Sequence, residues 1–281
     1  MFYYSVPNFA NMQFIKYHAL GNDYLVLQGK NLHDIEPGLD LSPESIRWIC
    51  DRHRGVGADG ILVPTQSLNG KFATGVRIYN PDGSEAEKSE NGLRIFARWL
   101  FDRGEVGADP FEIETVGGRV LCQVLDQGRW VQVDMGQVQF GAIELFSAEG
   151  LIGHIANIGN PHCVIFCEAI SAEETIRIGP RIENDLRFPK RTNVQFVRVV
   201  DRNNLHIEIW ERGAGYTLAS GSSSCAACAV AVRLGLCDGD VHVHMPGGTL
   251  DVTVSPDFYL RQTGPVKRIA HIDWLPESDR E

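Results

Sequence analysis

Two segments constrain what this chain can fold into. Each is a Gly/Ser/Asn-rich turn running into a helical pattern, entered once through Ser89 and again through Ser220, nearly half a chain length apart. Short β-rich runs surround them. Residues 13–17, 24–27, 60–64, 75–79, 111–116, 130–135, 163–166, 194–200, 206–210 and 250–254 read as strands. Several alternate apolar and polar residues, as half-buried antiparallel strands do. Turn signals separate them at Asn69-Gly70, Pro81-Asp82-Gly83, Gly117-Gly118, residues 201–204 and Pro246-Gly247-Gly248. After Ser89, the residues Leu93, Phe96, Ala97, Leu100 and Phe101 recur at helical spacing, and Gly104 closes the pattern. After Ser220 the run to Leu234 is small or apolar on every face until Arg233, which predicts a buried core helix ending before Gly235. A third helix, of surface type, is expected over 43–51, started by Ser42 or Pro43. Each half thus runs strands, turn, helix, strands, with the boundary expected near Met135-Gly136.

Composition narrows the function classes. A chain of 281 residues that is 43% hydrophobic can bury a large core in one or two domains. A net charge of -10 argues against nucleic-acid binding. No apolar run approaches the roughly 20 residues of a membrane span, and the first twelve residues lack the pattern of a secretory signal. A cytoplasmic protein is expected. Seven scattered cysteines do not form a disulfide framework. Cys225 and Cys228 have the C-x-x-C spacing of metal and redox sites, but lie inside an apolar helical run and read as packed side chains. His242 and His244 alternate on one strand with nothing nearby to complete a metal site. Gly55, Gly57 and Gly60 make a bare GxGxxG that no helix follows, so no dinucleotide site is expected.

The segments around the two serines carry more. Residues 80–94, NPDGSEAEKSENGLR, and 211–225, ERGAGYTLASGSSSC, resemble the two active-site motifs of the diaminopimelate epimerase family. Six further stretches match in order: residues 14–23, 52–60, Gly159-Asn160-Pro161-His162-Cys163-Val164, Thr192-Asn193, and the closing segments 245–250 and 260–266. The resemblance covers nearly all of the chain after Met12 and leaves residues 1–11 as an extension. It implies an α/β chain (α+β type) of two similar domains, each a mixed sheet curled around a central helix, with the active site in the cleft between them. Residues 12–133, with 266–281 returning, would form one domain and residues 134–265 the other.

The resemblance also implies a cofactor-independent epimerase or racemase, converting LL- to meso-diaminopimelate in lysine biosynthesis, with no metal and an amino acid or dicarboxylate as substrate. A homodimer is compatible with it. One group removes the α-proton and another, on the opposite face, returns one. Two helix N-termini stabilise the carbanion through free N–H groups and the positive dipole end. The donors would be the amides around Glu90, Asn91, Gly221 and Ser222. By resemblance Asn22, Asn80, Asn160, Asn193, Glu211 and Arg212 line the site, with Arg212 forking onto a carboxylate. An Asn before Asp or Pro is also an ordinary turn former, and Arg212 beside Glu211 an ordinary surface pair.

The family carries a catalytic cysteine at each of two points where this chain has Ser89 and Ser220. A thiol ionises near 8.5 and can be lowered into the working range. A hydroxyl ionises several units higher, a gap that a helix dipole worth roughly 1–2 kcal/mol does not close. Four readings follow. Glu211 or His162 takes the proton, directly or through a serine hydroxyl. The chemistry has become that of a dehydratase or tautomerase on an amino or carboxylic acid. The cleft binds an amino acid without turnover. Or the serines were introduced to trap a ligand. Serine is also a preferred N-cap, a purely structural reason for both.

Overall fold

The computed structural model describes residues 12–29, 41–66, 74–146 and 150–275, with side chains omitted at 144–146. The Asn69-Gly70 turn and the extension over residues 1–11 lie outside the described residues. The chain divides into two compact units, Met1–Val131 with Val266–Glu281, and Gln132–Pro265.

The first unit contains β1 (Met12–Ala19), β2 (Asn22–Gln28), α1 (Pro43–Cys50), β3 (Ile61–Thr65), β4 (Gly75–Tyr79), β5 (Glu85–Ala86), α2 (Glu90–Asp102), β6 (Phe111–Thr115) and β7 (Gly118–Leu125). After β8 (Trp130–Gln137), the second contains β9 (Gln139–Phe146), β10 (Leu151–Asn157), β11 (Pro161–Phe166), α3 (Ala172–Glu183), β12 (Asn193–Asp201), β13 (Asn204–Glu211), β14 (Gly215–Thr217), α4 (Gly221–Arg233), β15 (Asp240–Met245), β16 (Gly248–Val254) and β17 (Tyr259–Pro265). Strand β18 (Lys267–Trp274) returns to pair with β1 in the first unit.

The sequence echo is a topological repeat. In the first unit β1 and β2 are antiparallel, α1 crosses over to bring β3 parallel to β2, β4 turns back on β3, and α2 crosses over to bring β6 parallel to β4. In the second unit β10, β11, α3, β12, β13, α4 and β15 repeat every one of these relations. The short β5 and β14 pair with the ends of β4 and β13. The registers then superpose residue on residue: Leu25 faces Ile61 and Ile61 faces Tyr79, as Cys163 faces Val194 and Val194 faces Trp210. Counting along the strands makes Asn22 equivalent to Asn160, Tyr24 to His162, Asn80 to Glu211 and Ser89 to Ser220.

Each sheet is covered on both faces, as parallel pairing requires. Leu25, Leu27, Ile61 and Val63 bury one face against Ile46 and Ile49 of α1. Cys163, Ile165, Val194 and Phe196 do the same against Ile178 and Ile182 of α3. Because side chains alternate along a strand, Tyr24 and Val26 on β2, and His162 and Val164 on β11, face the other way, toward α2 and α4. Helix α4 packs against β10 to β13 and β15 to β17, and its residues from Gly221 to Ala231 are all buried, the core helix expected. Ser42 caps α1 with Pro43 at its first position. Cys225 and Cys228 are in no disulfide and are fully buried. No helix among the described residues is long and apolar enough to cross a membrane.

Candidate functional site

In both units the loop after the second antiparallel strand enters the central helix through a serine in extended conformation, Ser89 at φ −142° and ψ 118°, Ser220 at φ −145° and ψ 126°. Each hydroxyl accepts the backbone N–H three residues on, Ser89 Oγ from Gly92 at 3.1 Å and Ser220 Oγ from Ser223 at 3.4 Å. Each serine carbonyl accepts the first helical bond, from Leu93 and Ser224. The amides of Glu90 and Asn91, and of Gly221 and Ser222, belong to the first turn and have no carbonyl one turn earlier to bond. They are ready donors for an anion. Ser89 is half-buried and Ser220 is buried.

The polar partners of the two starts differ. In the first unit Asn91 Nδ2 donates to Asn22 Oδ1 at 3.0 Å and Asn22 Nδ2 donates to Asp59 Oδ2 at 2.9 Å. The buried Arg94 donates to Asn91 Oδ1 at 2.6 Å. Asp59 also accepts the Asp23 amide, and Arg52 bridges both carboxylates. Burial works against charge on Asp23, but hydrogen bonds from Arg52 and Lys16 outweigh it and hold the carboxyl down at about 2. Tyr24 Oη lies 3.1 Å from Ser89 Oγ. Asn80 bonds Ser84 within its own turn, its Nδ2 on Ser84 Oγ at 3.0 Å.

In the second unit His162 is fully buried, and burial pushes its imidazole down to about 3. It is neutral at pH 7. Asn160 Oδ1 is 2.8 Å from Nε2 and Gln195 Nε2 is 3.1 Å from Nδ1. An amide oxygen only accepts and an amide nitrogen only donates, so the proton sits on Nε2. Gln195 Nε2 also donates to Ser223 Oγ at 3.0 Å, tying β12 to the first turn of α4. Asn193 joins three strand ends: its Nδ2 donates to the Pro161 carbonyl and its Oδ1 accepts the Arg212 amide. The buried Glu183 of α3 accepts from Trp210 Nε1 at 2.7 Å and the Gly213 amide at 2.9 Å, fixing the turn that carries Glu211 and Arg212. Glu211 ends β13, opposite Gly215. Arg212 is exposed and its guanidinium reaches the Lys190 carbonyl at 3.2 Å.

Hydrogen bonds therefore join Asn22 to Asn91, Asn160 to His162 and Asn193 to Arg212, while Asn80 bonds only within its turn among the bonds described. Tyr24, Asp59, Arg94, Glu183 and Gln195 were missed as site residues. Their signal lay in the echo: Tyr24 holds the place that His162 holds in the other half, and Gln195 interrupts an apolar strand buried on both faces. His242 bonds Asp251 and His244 bonds Thr249 and Asn204, and no metal-binding cluster occurs among the described residues.

The family model for diaminopimelate epimerase matches residues 14–141 and 154–269. Diaminopimelate epimerase 2 of a Nostoc species is 50% identical over 275 residues, covering 92% of this chain and 94% of the relative. Diaminopimelate epimerase of Nostoc punctiforme is 38% identical over 279 residues, covering 92% and 98%. A solved structure described as a predicted epimerase from Pseudomonas aeruginosa superposes with a TM-score of 0.71 at 16% identity, covering 95% of this chain and 100% of that one, a likeness of fold.

Proposed function

Since the chain belongs to the diaminopimelate epimerase family, we propose that it is a cofactor-independent epimerase that removes and returns the α-proton of an amino acid, LL-diaminopimelate being the first substrate to test. The observation that carries the reading is the matched pair of serine-capped helix starts, one per unit, at register-equivalent positions. Such starts supply anion-directed N–H groups and a positive dipole end to the substrate carboxylate, which lowers the barrier to carbanion formation. On this reading Ser89 acts on one face of the α-carbon and Ser220 on the other. Asn22, Asn80, Asn160, Asn193 and Arg212 hold the substrate. Glu211, half-buried at the end of its strand, is the general base on the second unit's side. His162, neutral and with both ring nitrogens bonded to amides, orients Asn160 rather than taking the proton. The working place is the cytoplasm and the pathway lysine synthesis.

Solvent deuterium exchange into the α-position of LL- and meso-diaminopimelate, followed by NMR, tests this. Exchange that Glu211→Gln abolishes for one of the two isomers supports the reading. No exchange with any isomer, or with a wider amino-acid panel, ends it. A second reading, amino-acid binding without turnover, is favoured by one observation: both serine hydroxyls are engaged as helix caps. Thermal stabilisation by substrate without exchange would select it.

A further inference from the structure

Tyr24 sits on β2, two residues after Asn22, and is 5% exposed. Its ring lies where Gly60 has no side chain: a Cβ on Gly60 would come within 2.6 Å of the ring. The strand therefore aims the phenol at the start of α2, with Oη 3.1 Å from Ser89 Oγ.

A serine hydroxyl has one hydrogen and two lone pairs. The Gly92 amide occupies one lone pair of Ser89. Two arrangements of the Tyr24–Ser89 contact bear on proton transfer. In one, the Tyr24 phenol donates to the second lone pair, and the Ser89 O–H is left to point outward. In the other, Ser89 donates its hydrogen to a Tyr24 phenolate, and a Ser89 lone pair is left outward. The first arrangement delivers a proton and the second receives one.

Resting on the epimerase reading, we propose that Tyr24 is the proton store behind Ser89, and that the pair handles the α-proton on one face of the substrate. In abstraction the Cα–H bond breaks and its electron pair stays on carbon. The proton bonds to the outward lone pair of Ser89 while the serine's own hydrogen passes to the Tyr24 phenolate. Return runs the same bonds in reverse, and no redox partner is required. The negative charge rests on a phenolate, the conjugate base of the stronger acid, and not on an alkoxide. The positive end of α2 favours it further.

Among the described residues, no such pair stands at the start of α4. The register equivalent of Tyr24 is His162, whose nitrogens bond Asn160 and Gln195. Around Ser220 Oγ stand the Ser223 amide and the Ser222 hydroxyl, the latter at 3.5 Å. The Tyr24–Ser89 relay is therefore one-sided, which gives a signature that a merely structural tyrosine lacks.

The test uses the full chain with LL- and meso-diaminopimelate in deuterated water, reading deuterium entry into the starting isomer before conversion. Tyr24→Phe keeps the ring and removes only the oxygen. It should lower exchange at least about 100-fold for one isomer, leave exchange from the other within about threefold, and leave binding of both, read by calorimetry, within about threefold. Ser89→Ala should impair the same isomer. Equal loss with both isomers, no loss with either, or selectivity for opposite isomers in the two variants would overturn the assignment. A parent chain that exchanges with neither isomer overturns the epimerase reading and this proposal with it. A parent that exchanges while Tyr24→Phe does so equally well overturns Tyr24 alone.

Discussion

The two units repeat one backbone and fill it with different polar chemistry. At the start of α2 a phenol stands behind a half-buried serine, and a chain from Arg94 through Asn91 and Asn22 to Asp59 ends in ion pairs. At the start of α4 the corresponding strand carries a neutral imidazole locked between two amides, and the serine is buried. The shared geometry, equivalent caps at equivalent registers, is what two-sided proton transfer needs from a scaffold. The difference teaches that the backbone caps can be duplicated while the polar groups behind them are not.

The comparison can be broken at several points. Gln195→Leu should have the largest effect on stability. It strips a donor from His162 Nδ1 and from Ser223 Oγ, both buried, at about 1–3 kcal/mol for each group left unpaired, a loss readable by denaturant unfolding. The first unit's helix start should be untouched. Gly60→Ala attacks the other side. Its Cβ would meet the Tyr79 carbonyl at 2.4 Å and the Tyr24 ring at 2.6 Å, so a loss of about 1–3 kcal/mol is expected, together with displacement of the phenol from Ser89.

Acid separates the units by pH window. His162 has a folded value near 3, below its ordinary 6.5. The unfolded chain takes up that proton first, so stability should fall as pH drops from 6.5 toward 3, and His162→Gln should flatten that limb. Asp23, held at about 2 against an ordinary 3.8, contributes stability present above 3.8 and lost as pH falls toward 2. Asp23→Asn should remove only this lower limb. Smallest are the caps: Ser89→Ala and Ser220→Ala should each lower stability by about 1 kcal/mol. A much larger loss at one alone would show that its hydroxyl does more structural work than the repeat implies.

Much of this was legible in the sequence. Turn chemistry and helical spacing located α2 and α4, because Ser, Gly and periodic apolar residues act locally. The resemblance supplied the family and the two-unit plan. Helix α3 was not found. Gly179 and Pro180 lie inside it and read as breakers, yet Gly179 is required where a Cβ would strike Trp210 at 2.6 Å. Strand β7 is hidden because Leu121 and Leu125 on its outer face break the apolar–polar alternation, although Val120, Cys122 and Val124 are its buried face. The Tyr24 contact was hidden for another reason. A tyrosine at a strand start reads as core, and only the register places its hydroxyl against a serine 65 residues on.

The central claim is that each unit supplies one proton-handling hydroxyl at a helix start. It is tested most directly by measuring α-deuterium entry from LL- and meso-diaminopimelate in Ser89→Ala and Ser220→Ala side by side. The account predicts that the parent exchanges with both isomers and that each variant loses exchange with a different one. Two variants that both exchange as the parent does, or that lose the same isomer, would contradict it.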